Sequence, residues 1–407
     1  MVLQNHGFDS PQIEVISESP RLEMLQNRIR QSGMRPVRAA LPLDPELADP
    51  VLLDTAIATP EQIAGFAREW DTLNAKRLLI ILGQLPDQIS GANLLHLRDV
   101  DQLPTLPARI AIRQRELRRQ REFELRAETA DRMGMEPQDV PVASNLRALY
   151  LGEGSPSFLP LKAALKDKAI ETVAALSRFT ASDHLASGQF SAVILHPQSL
   201  EDEATQFLAR FDANDHAHHL KLFLIEEASF SSTLPPQYAE KVTALLDGAT
   251  PAEAIVEAMM DHLNQADSLS GPMAAAAKPK AMELFSRPFL ETHLLTQFEE
   301  ADTTGAPFCL VSVRVRKGSQ SIQQLSPVIA ALLRDTDMAA HLDDDHICLT
   351  LPATPYRGAI QLARRIETAL GEQVEWRAIE RRQFHTVETL LNALVAKPTL
   401  QSLRRYA

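Results

Sequence analysis

Cysteine is almost missing from this chain of 407 residues: Cys309 and Cys348 are the only two, and both stand in apolar runs that read as strands. Two thiols make neither a disulfide framework nor a structural zinc site, so buried free cysteines in a reducing compartment are expected. Long apolar runs are missing too. No stretch approaches the ~18 consecutive apolar residues that a membrane span needs. The opening MVLQNHGFDSPQ lacks a basic segment followed by an apolar core, so no secretory leader is expected and the chain is expected to be cytoplasmic. Positive charge is in deficit: 41 Lys and Arg against 53 Asp and Glu give a formal net charge of −12. That balance argues against a nucleic-acid surface, while a few convergent arginines still suffice to hold a small anionic ligand.

What is present is a rhythm of short apolar runs and amphipathic helices, in a chain too long for a single core. IEVIS from Ile13, PVRAAL, PVLLDTAIA, RLLIILG and NLLHL alternate with helical patterns, and LRALYLGEG, FSAVILHP and LKLFLIEE repeat the scheme. Such alternation predicts βαβ units around buried parallel sheets. A charged helix from about Pro107 to Met133 lies between the two stretches, its acidic and basic residues interleaved as on a solvated or coiled face. QADSLSGPMAAAAKPKA then reads as a linker. The expected division is a first domain over 1–135, a second over 136–268, a linker over 269–282 and a third domain over 283–407.

The first two units resemble receiver domains of response regulators, which implies a CheY-like (flavodoxin-like) α/β fold. That family's chemistry requires a phosphoacceptor aspartate ending the third strand, acidic residues after the first strand that hold Mg²⁺, and Thr/Ser and Lys positions that sense the phosphate. Unit one places Asp54 as candidate phosphoacceptor, or equally as a strand-end carboxylate that caps the following turn. Its Mg²⁺ side is thin, with Ser17 and Glu18 where an acidic pair is expected, Gly83 in place of Thr/Ser and Arg98 near the lysine position. Unit two has His196 at the acceptor position and Gly152–Glu153 where the acids belong, which predicts an adaptor that keeps the fold without the chemistry.

The third unit resembles the GGDEF domain, a nucleotidyl-cyclase-like α+β fold. LFSRPFLETHL matches its opening helix, with Ser286 for an asparagine, and DMAAHLDDDHICLTLPAT matches its signature hairpin. The signature itself is degenerate: Asp343 and Asp344 replace the glycines that let the backbone approach a nucleotide, and Asp345, His346 and Ile347 follow. Arg314 and Arg316 stand where the family's strand carries metal-binding aspartate, and an arginine repels a divalent cation. The stretch after that strand is short and lacks the family's guanine contacts, so no cyclase activity, no catalytic residue and no metal are expected.

The resemblance also implies an R-x-x-D product site five residues before the signature, and Arg334-Asp335-Thr336-Asp337 has that spacing. A guanidinium can donate to guanine O6 and N7, and an aspartate can accept from its N1–H and N2–H₂ edge, with i, i+3 spacing placing both on one helix face. Arg365, with Arg364 beside it, falls where a further arginine is expected. Taken alone, Arg334 and Asp337 also read as a helix-end ion pair, and Arg364–Arg365 as an exposed face. The whole layout resembles receiver–receiver–GGDEF response regulators. By that resemblance the chain is a homodimeric cyclic di-GMP effector that recruits protein partners of a signalling or proteolysis pathway, at the cell pole in the cell-cycle case. An active diguanylate cyclase and a scaffold driven by phosphorylation of Asp54 remain as the alternatives.

Overall fold

The computed structural model describes residues 11–39, 50–72, 78–86, 93–135, 146–152, 156–196, 206–211, 220–226, 241–270 and 284–395, apart from isolated positions within them. Glu153 lies outside these residues, as does most of the expected linker.

The first apolar runs become β1 (Gln12–Ile16), α1 (Arg21–Gln31), β2 (Arg35–Arg38), β3 (Val51–Asp54), α2 (Pro60–Thr72), β4 (Leu79–Leu82), β5 (Leu94–Leu97) and the long α3 (Leu106–Arg132). The strands pair in parallel in the order β2-β1-β3-β4-β5. Val51–Leu53 and LIIL are apolar throughout because helices cover both faces: Leu22, Leu25 and Ile29 of α1 close one, Phe66, Ala67 and Trp70 of α2 the other.

The second series is β6 (Arg147–Gly152), α4 (Phe158–Asp167), β7 (Glu171–Ala175), α5 (Arg178–Ser187), β8 (Ala192–His196), β9 (Lys221–Glu226), β10 (Ala244–Asp247) and α6 (Ala252–Ser270). Its order, β7-β6-β8-β9-β10, is the same 2-1-3-4-5 permutation. That is the flavodoxin-like doubly wound order, in which sites form at the carboxyl ends of the strands. Helix α6 continues to Ser270, into the segment read as linker.

The third series runs α7 (Arg287–Thr304), β11 (Phe308–Val315), α8 (Ile322–Ala331), β12 (Met338–His341), β13 (His346–Pro352), α9 (Tyr356–Leu370), β14 (Val374–Glu380) and α10 (Val387–Val395). All strand pairs are antiparallel, in the order β12-β13-β11-β14. Period-two alternation in β11 sends Cys309, Val311, Val313 and Val315 to the face covered by α8 and α9, and Phe308 and Leu310 to the face covered by α7 and α10. Helix α7 starts where Ser286 Oγ accepts from Phe289 N and stops at Gly305 in the left-handed region.

The chain divides into two compact units, 1–117 with 144–263 and 118–143 with 264–407. Helix α3 therefore contributes its first half to the unit of the parallel sheets and its second half to the unit of the antiparallel sheet. Among the described residues no helix is long and apolar enough to cross a membrane.

Candidate functional site

In the first sheet Asp54 ends β3 with its side chain buried. Its Oδ2 accepts from Arg21 Nε at 2.7 Å and from Ser17 Oγ at 2.8 Å, and its Oδ1 from Ala56 N at 3.2 Å. A guanidinium of the same chain thus sits against the oxygen that an incoming phosphoryl group or a Mg²⁺ ion would need. Ser17 is a neutral donor and Arg21 a cation, so the side chains that touch Asp54 do not fit Mg²⁺. The turn-capping reading of Asp54 matches the Ala56 bond. Gly83 has φ +107, and a Cβ there would stand 2.6 Å from Thr55 Oγ1, which is why a glycine occupies the Thr/Ser position. Arg98, near the lysine position, forms an ion pair with Asp247 at the end of β10.

In the second sheet His196 is buried and its Nδ1 shares a 2.8 Å hydrogen bond with the Tyr150 hydroxyl. A Cβ at Gly152 would lie 2.8 Å from the His196 carbonyl, so the glycine is fixed by packing. Histidine at this position is a core group paired to a tyrosine.

The stretch read as the signature forms the β12–β13 hairpin. Leu342 N donates to His346 O, and Val315 N donates to Asp345 O across to β11. Asp343 and Asp344 are exposed at the tip, whereas His346 and Ile347 are buried. His346 Nδ1 lies 2.8 Å from Asp343 Oδ1 and 3.0 Å from Asp345 Oδ1. Desolvation pushes the Asp343 carboxyl upward, but the bonds from His346 and from the Asp345 amide outweigh it and hold it below the ordinary value. Arg314, opposite His346 in the ladder, places Nε 3.2 Å from Asp345 Oδ2, and Arg316 Nε is 3.1 Å from Glu375 Oε1. Asp343, Asp345 and His346 have their ligand atoms within 4.8 Å of one another. They satisfy each other, and Arg314 brings a positive charge to the same oxygens, which disfavours a divalent cation.

Arg334 and Asp337 lie beyond the end of α8 and bracket a turn, instead of sharing the helix face that their spacing suggested. The bonds are reciprocal and local: Arg334 N donates to Asp337 Oδ2, and Asp337 N to Arg334 O, both at 3.0 Å. The Arg334 residue is exposed, while Asp337 is 8% exposed and its Oδ1 is buried without a hydrogen-bond partner. Burial pushes the Asp337 carboxyl up to about 6 against the pull of the Arg334 amide and of the Arg334 and Arg126 charges. Arg364 and Arg365 are exposed on α9, whose Ala359, Leu362, Ala363 and Ile366 pack inward.

Sequence reasoning missed two groups. Arg21 opens α1, where the helix dipole disfavours a cation, and that misplaced charge was the available signal. Buried Glu122, Arg126 and Thr129 of α3 meet His293 and Gln297 of α7.

No family model matches the chain, and no curated protein matches it. Solved structures do show likeness. The GGDEF domain of DgcB from Caulobacter crescentus, in complex with c-di-GMP, is similar at 15% identity over 32% of this chain and 88% of that one, with a TM-score of 0.28. Diguanylate cyclase SiaD from Pseudomonas aeruginosa, in complex with its activator SiaC, is 18% identical over 34% of this chain and 61% of its own, with a TM-score of 0.29. A CheY-like receiver domain protein from Methanospirillum hungatei JF-1 is 12% identical over 30% of this chain and 96% of its own, with a TM-score of 0.27. At these values the fold assignment rests on the strand orders given above.

Proposed function

We propose that this protein reads cyclic di-GMP and does not synthesise it, and that it transmits no phosphoryl signal through Asp54. The observation that carries this reading is the same at both ends of the chain. Asp54 and Asp345, the carboxylates that receiver and cyclase chemistry would use, are each held by an arginine of the same chain, Arg21 and Arg314. A carboxylate neutralised by a fixed guanidinium neither gathers Mg²⁺ nor presents a free nucleophile.

The ligand site of this reading is Arg334, Asp337 and Arg365. Arg334 and Arg365 offer exposed guanidinium groups after α8 and on α9, two helices that cover one face of the antiparallel sheet. Asp337 supplies a buried oxygen without a donor, the acceptor that a guanine N1–H and N2–H₂ edge would satisfy. The output is recruitment of a protein partner by a homodimer, as in the receiver–receiver–GGDEF proteins that this chain resembles.

Incubation of the purified full chain with GTP and Mg²⁺, followed by chromatography, tests the non-catalytic half. No cyclic di-GMP is expected, and its accumulation would overturn the reading. Acetyl phosphate is expected to leave the protein unlabelled, and a phosphoryl adduct mapped to Asp54 would contradict the account of the first sheet.

A further inference from the structure

The turn that presents Arg334 and Asp337 is gripped by α3. Arg126 Nη2 donates to the Thr336 carbonyl at 3.2 Å and to the Asp337 carbonyl at 3.1 Å. The Arg126 side chain is nearly fully buried, and its Nε donates to Glu122 Oε1 at 2.8 Å. Glu122 in turn meets His293 Nε2 at 3.1 Å and accepts from Gln297 Nε2, while His293 Nδ1 shares a 2.9 Å bond with Thr129 Oγ1. One buried network therefore joins α3, α7 and the backbone of the ligand turn.

The geometry of Asp337 makes that grip consequential. Its Oδ2 is already taken by the Arg334 amide, and its Oδ1 is buried. A guanine edge has to reach these oxygens from solvent, so the turn must open for the bond to form. Opening moves the Thr336 and Asp337 carbonyls away from the buried Arg126 and breaks both bonds. We propose that docking of α3 through Arg126 and occupation of the Asp337 turn by a guanine base exclude one another, so that cyclic di-GMP acts by loosening α3. This rests on the reading of Arg334 and Asp337 as the ligand site. Linkage makes the effect reciprocal: the ligand weakens the Arg126 grip by the same factor as the grip weakens the ligand.

The test uses the full chain. Hydrogen–deuterium exchange of residues 118–132 is followed with and without cyclic di-GMP, and calorimetry compares the wild type with Arg126→Gln and Arg126→Lys. The ligand is expected to speed exchange in 118–132. Arg126→Gln is expected to bind about 5-fold tighter or more, with Arg126→Lys between it and the wild type. If Arg126→Gln does not fold, exchange in the wild type decides alone. Binding with unchanged or slowed exchange overturns the coupling and leaves the ligand site standing. Absence of binding to the wild type overturns both.

Discussion

Two residues carry the chemistry that can be checked one side chain at a time. Arg21 neutralises a carboxylate that is otherwise buried, and its own side chain is partly exposed. Arg21→Ala should therefore cost about 2 kcal/mol in denaturant unfolding, less than the loss of a fully buried partner, with Ser17 and the Ala56 amide still bound to Asp54. Asp337 has the opposite problem, because burial raises its carboxyl to about 6. A carboxylate whose pKa rises on folding costs stability above the raised value, and the cost disappears as pH falls below the ordinary 3.8. Asp337→Asn should accordingly raise the melting temperature at pH 8 and leave it unchanged near pH 4. The same ionisation makes the wild type a better guanine acceptor as pH rises from 5 to 7, so cyclic di-GMP should bind more tightly across that window. At this scale the sequence singles out Asp54, Arg334 and Asp337 but not their surroundings. Arg21 and Asp54 are 33 positions apart, and only the fold brings them to 2.7 Å. The R-x-x-D spacing suggests a helix face, but α8 ends at Ala331 and a turn takes over.

Among elements, the parallel sheets were legible because strands buried on both faces leave continuous apolar runs such as LIIL and AVILH. The hairpin was legible from its Asp-rich tip, where small polar side chains stabilise the turn. The shared role of α3 was not. Its interleaved charges predict a solvated or coiled helix; Glu122, Arg126 and Thr129 are buried, with Glu122 and Thr129 bonded to α7. Charge alone does not reveal burial when the partners, His293 and Gln297, come from a helix far along the chain. Although burial would raise it, the Glu122 carboxyl is held below its ordinary value by Arg126 and His293. A depressed carboxylate contributes stability above its unfolded value of 4.5 and loses it as pH falls through the folded one. Glu122→Gln should lower stability by about 3 kcal/mol at pH 7, with the gap closing under acid; a constant gap from pH 7 to 3 in chemical denaturation would refute the ion-pair account.

For the molecule as a whole, two parallel sheets repeat the 2-1-3-4-5 order and the third sheet is antiparallel. Asp54 and Asp345, the carboxylates on which the proposal turns, are paired with Arg21 and Arg314 of the same chain. The proposed ligand site is the Arg334–Asp337 turn with Arg365, and the central claim stands or falls there. Calorimetric titration of the full chain with cyclic di-GMP at pH 7 tests it most directly. The account predicts micromolar or tighter binding that is lost in Arg334→Ala and weakened at least tenfold in Arg365→Ala. No heat from the wild type, or heat that survives unchanged in Arg334→Ala, would contradict it.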